Sequence, residues 1–328
     1  MVSKSVFCAA LSAMLHALCL PVEAQQAPKV YRIGYLTNAA EIRKSSEEIF
    51  RRSMRDLGYI DGQNLVIEWR FSKGRLDRLA ELAAELVRLQ LDCIVALGVA
   101  PTRAAKEATS KIPIVMGNAD DDPVRHGLVA SLARPGGNVT GFTSIGSDLA
   151  GKRLELVSQI VSKASRVAIL FDPRGPGGPG HVRESESVAP ALGLQIVRLE
   201  ASDPEALESA FQAAANRRAN AIIVVMTGQM DAQRARIVDL AAKMRLPAMY
   251  TSSSSVVAGG LMSFSDDPQD RSRRVATYVD KILKGAKPAD LLVQQPTKFE
   301  LIINLKAAKQ IALTIPPNVL ARADKVIR

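Results

Sequence analysis

The residues with the clearest chemical potential form the run Gly175-Pro176-Gly177-Gly178-Pro179-Gly180, which matches the G-x-G-x-x-G pattern of dinucleotide sites. Such a loop presents backbone N–H groups to a pyrophosphate, and Glu200 follows about 20 to 25 residues later, where an acidic residue would bind a ribose. However, Pro176 and Pro179 remove two of those donors. A surface turn therefore explains the run at least as well. An NAD-dependent Rossmann-type enzyme using Gly175 to Gly180 remains the alternative hypothesis.

Few other residue groups could support catalysis. Asp120-Asp121-Asp122 and His126 offer metal ligands, but three consecutive side chains cannot all face one ion. We interpret them as a loop in which Asp122-Pro123 begins a helix. Cys93 lies in an apolar run and is expected in the core. The sequence contains no G-x-S-x-G, C-x-x-C or H-E-x-x-H motif, so we predict no enzyme activity, no cofactor and no metal.

The elements that would position such residues alternate along the chain. Short apolar runs predict eight buried parallel strands, at Val30 to Leu36, Leu65 to Trp69, Cys93 to Leu97, Ile112 to Met116, Val167 to Phe171, Leu194 to Leu199, Ala221 to Met226 and Pro247 to Tyr250. Amphipathic segments predict helices between them, including Ile49 to Leu57, Leu76 to Leu89, Leu149 to Val161, Pro204 to Ala215 and Ala232 to Met244. This order predicts an α/β fold of two similar doubly wound lobes with parallel sheets.

Several hinge crossings are expected to join the two lobes. After Tyr250 too little chain remains for a third domain, so the tail is predicted to return to both lobes. We place lobe 1 at 29–145 plus about 265–292, and lobe 2 at 146–264 plus about 293–328. Multiple crossings would restrict the lobes to opening and closing around a ligand.

The candidate ligand pocket lies between the lobes. In parallel sheets, ligands bind beyond the carboxyl ends of the strands, where helix N-termini present free N–H groups. Applied to both lobes, this rule selects Thr37, Asn38, Gly98, Pro101, Thr102, Asn118, Asp120, Asp172, Thr227, Gly228, Tyr250, Ser252 and Ser253. Thr102 either binds a ligand carboxylate or caps its helix. Asp172 either pairs with a ligand ammonium or forms a turn.

The N-terminal segment has the features of an export signal. Lys4 precedes the apolar run Val6 to Leu20, and Val22-Glu23-Ala24 supplies small residues before a cleavage point. A run of about 15 apolar residues is too short to span a bilayer. We therefore predict a cleavable signal peptide at residues 1–24 and a periplasmic location for the mature protein.

The positive charge does not indicate nucleic acid. The chain has 43 Lys and Arg against 33 Asp and Glu, a formal net charge of +10. The basic residues are spread along helical segments with acidic residues among them, and we find neither a helix-turn-helix nor an aromatic and basic platform. We therefore interpret the charge as a solvated basic surface and predict no nucleic-acid partner.

Several long strings of the sequence point to one known family. They are Gly58 to Asn64, Ile67 to Arg70, Asp122 to Val124, Gly127 to Gly141, Tyr278 to Leu291 and Gln295 to Lys306. In these strings the chain resembles the periplasmic ABC transporter substrate-binding proteins with a type I binding-protein fold, and the resemblance covers nearly the whole chain after the predicted signal.

The resemblance implies a receptor that binds a small molecule, such as an amino acid, in the cleft and delivers it to the permease subunits of an ABC importer. It further implies a monomer that contacts the membrane only through the permease. Some relatives bind aromatic amino acids. The departures Asp172 to Gly180 and Thr251 to Ser255 suggest a roomier pocket here, richer in hydroxyl groups.

Overall fold

The computed structural model describes residues 29–39, 44–119, 121–143, 149–162, 164–174 and 177–328. Contacts group Tyr31–Arg328 into one compact unit, which contains both lobes and is described here by itself. Within the described ranges, no helix has the length and apolar character needed to cross a membrane.

The first lobe is built on a five-stranded parallel sheet. Its strands are β1 (Tyr31–Thr37), β2 (Leu65–Phe71), β3 (Cys93–Leu97), β4 (Ile114–Ala119) and β5 (Val139–Thr143). They lie in the order β2-β1-β3-β4-β5. Helices α1 (Lys44–Asp56), α2 (Leu79–Arg88), preceded by a 3-10 turn (Leu76–Arg78), and α3 (Val99–Ala108) connect the first four strands.

The second lobe is built on a seven-stranded sheet in the order β12-β11-β10-β9-β8-β6-β7. The strands are β6 (Arg166–Phe171), β7 (Gln195–Glu200), β8 (Ala221–Val224), β9 (Ala248–Tyr250), β10 (Met262–Asp266), β11 (Phe299–Asn304) and β12 (Lys325–Ile327). Helices are α4 (Ala150–Ile160), α5 (Gly177–Val188), α6 (Pro204–Asn216), α7 (Gly228–Ala232), α8 (Arg234–Lys243), α9 (Ser253–Val257), α10 (Pro268–Leu283), α11 (Leu305–Gln310) and α12 (Pro317–Leu320), with 3-10 turns at Ala189–Leu192 and Pro288–Asp290. Only the β10 and β11 pair is antiparallel among the described strands.

Apolar residues cover both faces of each sheet, which explains the continuous apolar runs. In β3, Cys93 and Val95 belong to one core cluster and Ile94 and Ala96 to another. Successive side chains of a strand point to opposite faces, so a strand covered on both sides must be apolar at every position. The second sheet repeats this arrangement with two further clusters.

The chain passes between the two sheets more than once. Helix α10 follows β10 of the second sheet, yet its Val275 and Val279 pack in the same cluster as Ile33 of β1. The chain then returns past β5, where the Gln294 N–H donates to the Gly141 carbonyl (2.9 Å) and the Thr143 N–H donates to the Gln294 carbonyl (3.0 Å). These backbone bonds bind the returning segment to the first lobe before β11 joins the second.

The structure confirms the α/β prediction and all eight predicted strands. Two local predictions are wrong. No helix begins at Asp122-Pro123, because the chain makes a turn in which the Leu128 N–H donates to the Pro123 carbonyl (2.8 Å). The glycine-rich run is not wholly a turn, because α5 begins at Gly177 with Pro179 in its first turn, where a missing N–H costs no helical bond.

Candidate functional site

A cavity of about 160 Å³ lies between the lobes, beside the chain crossings. Asn118 at the end of β4 contributes from the first sheet, and the second sheet contributes the carboxyl ends of β8, β9 and β10. The described residues that line it are Asn118, Leu149, Arg153, Gly177, His181, Val225, Met226, Thr227, Thr251, Ser252, Ser253, Ser265, Asp266, Pro268, Arg271, Pro296 and Phe299. The cavity is therefore rich in hydroxyl and charged groups.

Arg153 on α4 brings a buried positive charge to the wall. Its side chain is 2% exposed, and its Nε donates to the Phe264 carbonyl (2.9 Å). Burial lowers the pKa of Arg153 to about 9, an effect that the Asp266 carboxylate partly opposes. The guanidinium still carries its proton at pH 7, so the cavity contains a desolvated cation that an anionic group would stabilise.

His181 on α5 is the neutral partner of this cation. Its Nε2 lies 3.1 Å from Nη1 of Arg153, and its Nδ1 lies 3.2 Å from Oγ of Ser185. Burial, and secondly the charge of Arg153, lower the pKa of His181 to about 3. Because the guanidinium can only donate, Nε2 must accept, and the ring proton is therefore assigned to Nδ1, facing Ser185.

Asp266 and Arg271 form an ion pair in the cavity wall. Their Oδ2 and Nη1 atoms are 2.5 Å apart, and the Asp266 side chain is 17% exposed. The described lining residues thus carry two guanidinium groups and one carboxylate. Such a set complements a ligand that has both a carboxylate and an ammonium group, since each ligand charge would meet an opposite charge.

Four of the predicted site residues line this cavity: Asn118, Thr227, Ser252 and Ser253. All follow or end central strands, as the rule of strand carboxyl ends requires. The rule therefore selected residues at the edge of each sheet that borders the cavity.

The predicted residues of β1 and α3 lie outside the cavity. These are Thr37, Asn38, Gly98, Pro101 and Thr102. The Thr102 hydroxyl donates to the Gly98 carbonyl (2.7 Å), which favours the helix role over the ligand role. The Asn38 amide oxygen accepts from the Ser72 hydroxyl (2.5 Å). Both side chains are thus used within the first lobe.

The remaining predicted residues are also placed elsewhere. The Asp172 carboxylate accepts from Nε and Nη2 of Arg174 (3.0 and 2.9 Å), which favours a turn role. Gly228 begins α7, and Tyr250 is fully buried in a core cluster. Asp120 lies outside the described residues.

Sequence reasoning did not select six polar residues of the cavity: Arg153, His181, Thr251, Ser265, Asp266 and Arg271. Ser265 and Asp266 end β10, so the same rule would have found them had that strand been assigned. Arg153 and His181 lie inside helices with ordinary amphipathic patterns, and no sequence signal distinguishes them from surface residues. Their burial is a property of the tertiary packing.

The glycine-rich run serves close packing between the lobes. A Cβ atom on Gly180 would lie 3.3 Å from the Asp121 carboxylate of the first lobe, and one on Gly178 would lie 2.6 Å from the Asp172 carbonyl oxygen. A carboxylate at this position would repel a pyrophosphate. The geometry therefore does not support the dinucleotide-binding alternative, whose residues Gly175 and Pro176 lie outside the described ranges.

The chain is similar to known proteins over most of its length. The model of a family described as ABC transporter substrate binding protein matches residues 43–327. A tyrosine-binding protein of Clostridioides difficile is 27% identical over 256 residues, which cover 78% of this chain and 73% of that protein.

Solved structures show the same architecture. The ABC domain from Streptococcus pneumonia in complex with L-Trp has a TM-score of 0.82 at 25% identity, covering 91% of this chain and 100% of that one. A conserved domain protein from Vibrio cholerae has a TM-score of 0.84 at 25% identity, with the same coverage. These likenesses confirm the predicted two-lobed type I binding-protein fold.

Proposed function

Because this chain belongs to the ABC transporter substrate-binding protein family, we propose that it captures a small α-amino acid between its lobes and presents it to the permease subunits of an importer. Members of this family act outside the cytoplasm as the solute-binding component of the importer. The proposed ligand class rests on the charges of the interlobe cavity. Among the described lining residues, Arg153 and Arg271 are positively charged and Asp266 supplies the one carboxylate.

The two charged ends of an amino acid have separate partners in this cavity. Arg153 is buried beside the cavity and positively charged, so a ligand carboxylate would gain a strong charge-assisted bond there. Asp266 is partly exposed, and its carboxylate can accept a hydrogen bond from an ammonium group while it keeps its ion pair with Arg271. A neutral sugar would offer no negative charge to the buried Arg153 guanidinium.

Two relatives support this ligand class. One is a tyrosine-binding protein and the other was solved in complex with L-Trp. Their ligands share an α-carboxylate and an α-ammonium group. These two groups fit the charges of this cavity irrespective of the side chain of the ligand.

The proposal includes export and a hinged clamp. Residues 1–24 would direct export to the periplasm and be removed, and the lobes 29–145 plus 265–292 and 146–264 plus 293–328 would close on the ligand as a monomer. The ligand would leave unchanged, because we assign no catalytic residue to the cavity.

Isothermal titration of the protein starting at Gln25 against the common amino acids, sugars and nicotinamide cofactors tests the proposal. We expect one or a few amino acids to bind. Replacing Asp266 by Asn should weaken that binding roughly 10- to 100-fold, because the ammonium loses a charged acceptor. The same ligand without its amino group should bind equally to both forms.

The exposed Asp77→Asn variant is the matched control, because Asp77 does not line the cavity and its carboxylate pairs with Arg75 at the surface. It should bind like the unmodified protein. The assignment would be overturned if a sugar bound and no amino acid did. It would also be overturned if the Asp266→Asn variant kept its affinity for the amino acid.

A further inference from the structure

Two hydroxyl groups in the cavity wall have no hydrogen-bond partner among the described residues. They are Oγ of Ser265 on β10 and Oγ1 of Thr227, which immediately precedes α7. Ser265 is 2% exposed. Both residues line the 160 Å³ interlobe cavity.

The free hydroxyl of Thr227 is unusual for its position. A Thr or Ser just before a helix normally accepts a hydrogen bond from an N–H of the first turn. Asp203 and Asn304 do so in this protein, accepting from the Ala206 and Ala307 N–H groups at 2.8 and 3.2 Å. Thr227 and the cavity residue Ser252 make no such bond. Their hydroxyls are therefore available to a molecule in the cavity.

Unpaired buried hydroxyls cost free energy unless a ligand or water satisfies them. Building on the proposed function, we propose that Thr227 and Ser265 bind the side chain of the amino acid ligand. The ligand class is then a small amino acid whose side chain carries a hydroxyl or an amide, in contrast to the aromatic ligands of the two relatives.

The size and lining of the cavity support this class. Its volume of about 160 Å³ is below the range of roughly 300–1,000 Å³ typical of sites for drug-sized ligands. Phe299 is the one aromatic side chain among the described lining residues, whereas Thr251, Ser252 and Ser253 add further hydroxyls. An aromatic ring would leave the Thr227 and Ser265 hydroxyls unpaired.

Pairs of amino acids that differ by a hydroxyl group test the proposal. In threonine and valine a hydroxyl replaces a methyl group of the same size, and serine has one hydroxyl more than alanine. In isothermal titration of the protein starting at Gln25, we expect the hydroxyl-bearing member of at least one pair to bind about tenfold more tightly or better. Glutamine and asparagine test the amide alternative beside them, and tryptophan and tyrosine represent the aromatic class.

Variants of the wall identify the residues responsible. Thr227→Val keeps the side-chain shape and should reduce the preference for the polar ligand to about threefold or less. Ser265→Ala should have the same effect. Thr227 is only partly buried, so its variant supplies the test even if the buried Ser265 cannot be replaced. Thr277→Val is the matched control, because that hydroxyl bonds to the Arg273 carbonyl on the exposed face of α10.

The outcomes separate this inference from the proposed function. If tryptophan or tyrosine binds more tightly than every hydroxyl or amide ligand, the side-chain class is wrong and the amino acid function stands. An unchanged preference in both wall variants would also overturn the assignment of the two hydroxyls. If no amino acid binds at all, the proposed function itself fails, and this inference fails with it.

Discussion

Lowering the pH should destabilise the protein through His181. Its side chain is 2% exposed and faces the Arg153 guanidinium and the Ser185 hydroxyl. Burial and the neighbouring cation lower the pKa of His181 from 6.5 to about 3. The folded protein therefore keeps the ring neutral below pH 6.5, while the unfolded chain takes up a proton.

The magnitude follows from proton linkage. Above pH 6.5 the ring is neutral in both states and contributes nothing to the pH dependence. As the pH falls from 6.5 towards 3, each unit favours the unfolded state by about 1.4 kcal/mol. Between pH 7.5 and pH 5.0 the free energy of unfolding should therefore fall by about 2 kcal/mol through His181 alone.

Urea unfolding of the ligand-free protein at pH 7.5 and pH 5.0 measures this loss. The matched variant is His181→Gln, whose amide can accept from Arg153 but never titrates. The carboxylates and the other histidines titrate in both proteins. The difference between the two proteins in the pH-dependent loss of unfolding free energy therefore isolates His181. We expect the original protein to lose about 2 kcal/mol more than the variant. Equal losses in both would refute the account of a buried neutral ring.

Two further predictions concern the first lobe. Gly141→Ala should lower the free energy of unfolding in urea by about 3 kcal/mol, because Gly141 has a φ of 124° and a Cβ atom would lie 2.2 Å from the Met116 carbonyl oxygen. Gly137→Ala, with no atom within 4 Å of its Cβ position, should change it by less than about 0.5 kcal/mol, and equal effects would contradict this reasoning. Burial raises the pKa of the Cys93 thiol to about 12, so a thiol reagent at pH 8 should label the protein starting at Gln25 only in urea. Rapid labelling of the native protein would contradict that burial.

The sequence determined the fold class because a parallel strand buried on both faces is a continuous apolar run in the local sequence. The runs at Cys93 to Leu97 and Val167 to Phe171 are apolar at every position, and their alternation with amphipathic segments predicts doubly wound lobes. The strand-end rule then located Asn118, Thr227 and Ser252 at the cavity, since it depends only on the order of the elements.

Only the tertiary structure decided which polar side chains meet in the cavity. Arg153 and His181 come from two different helices, and each looks like a surface residue in its own segment. Thr102 and Asp172 satisfied the same local rule as Thr227, but their bonds are made within their own lobes. Contacts between distant segments depend on how the helices pack and where the chain crosses between lobes. A local pattern of residue types does not encode that geometry, so the strands could be predicted from the sequence whereas the side chains that meet in the cavity could not.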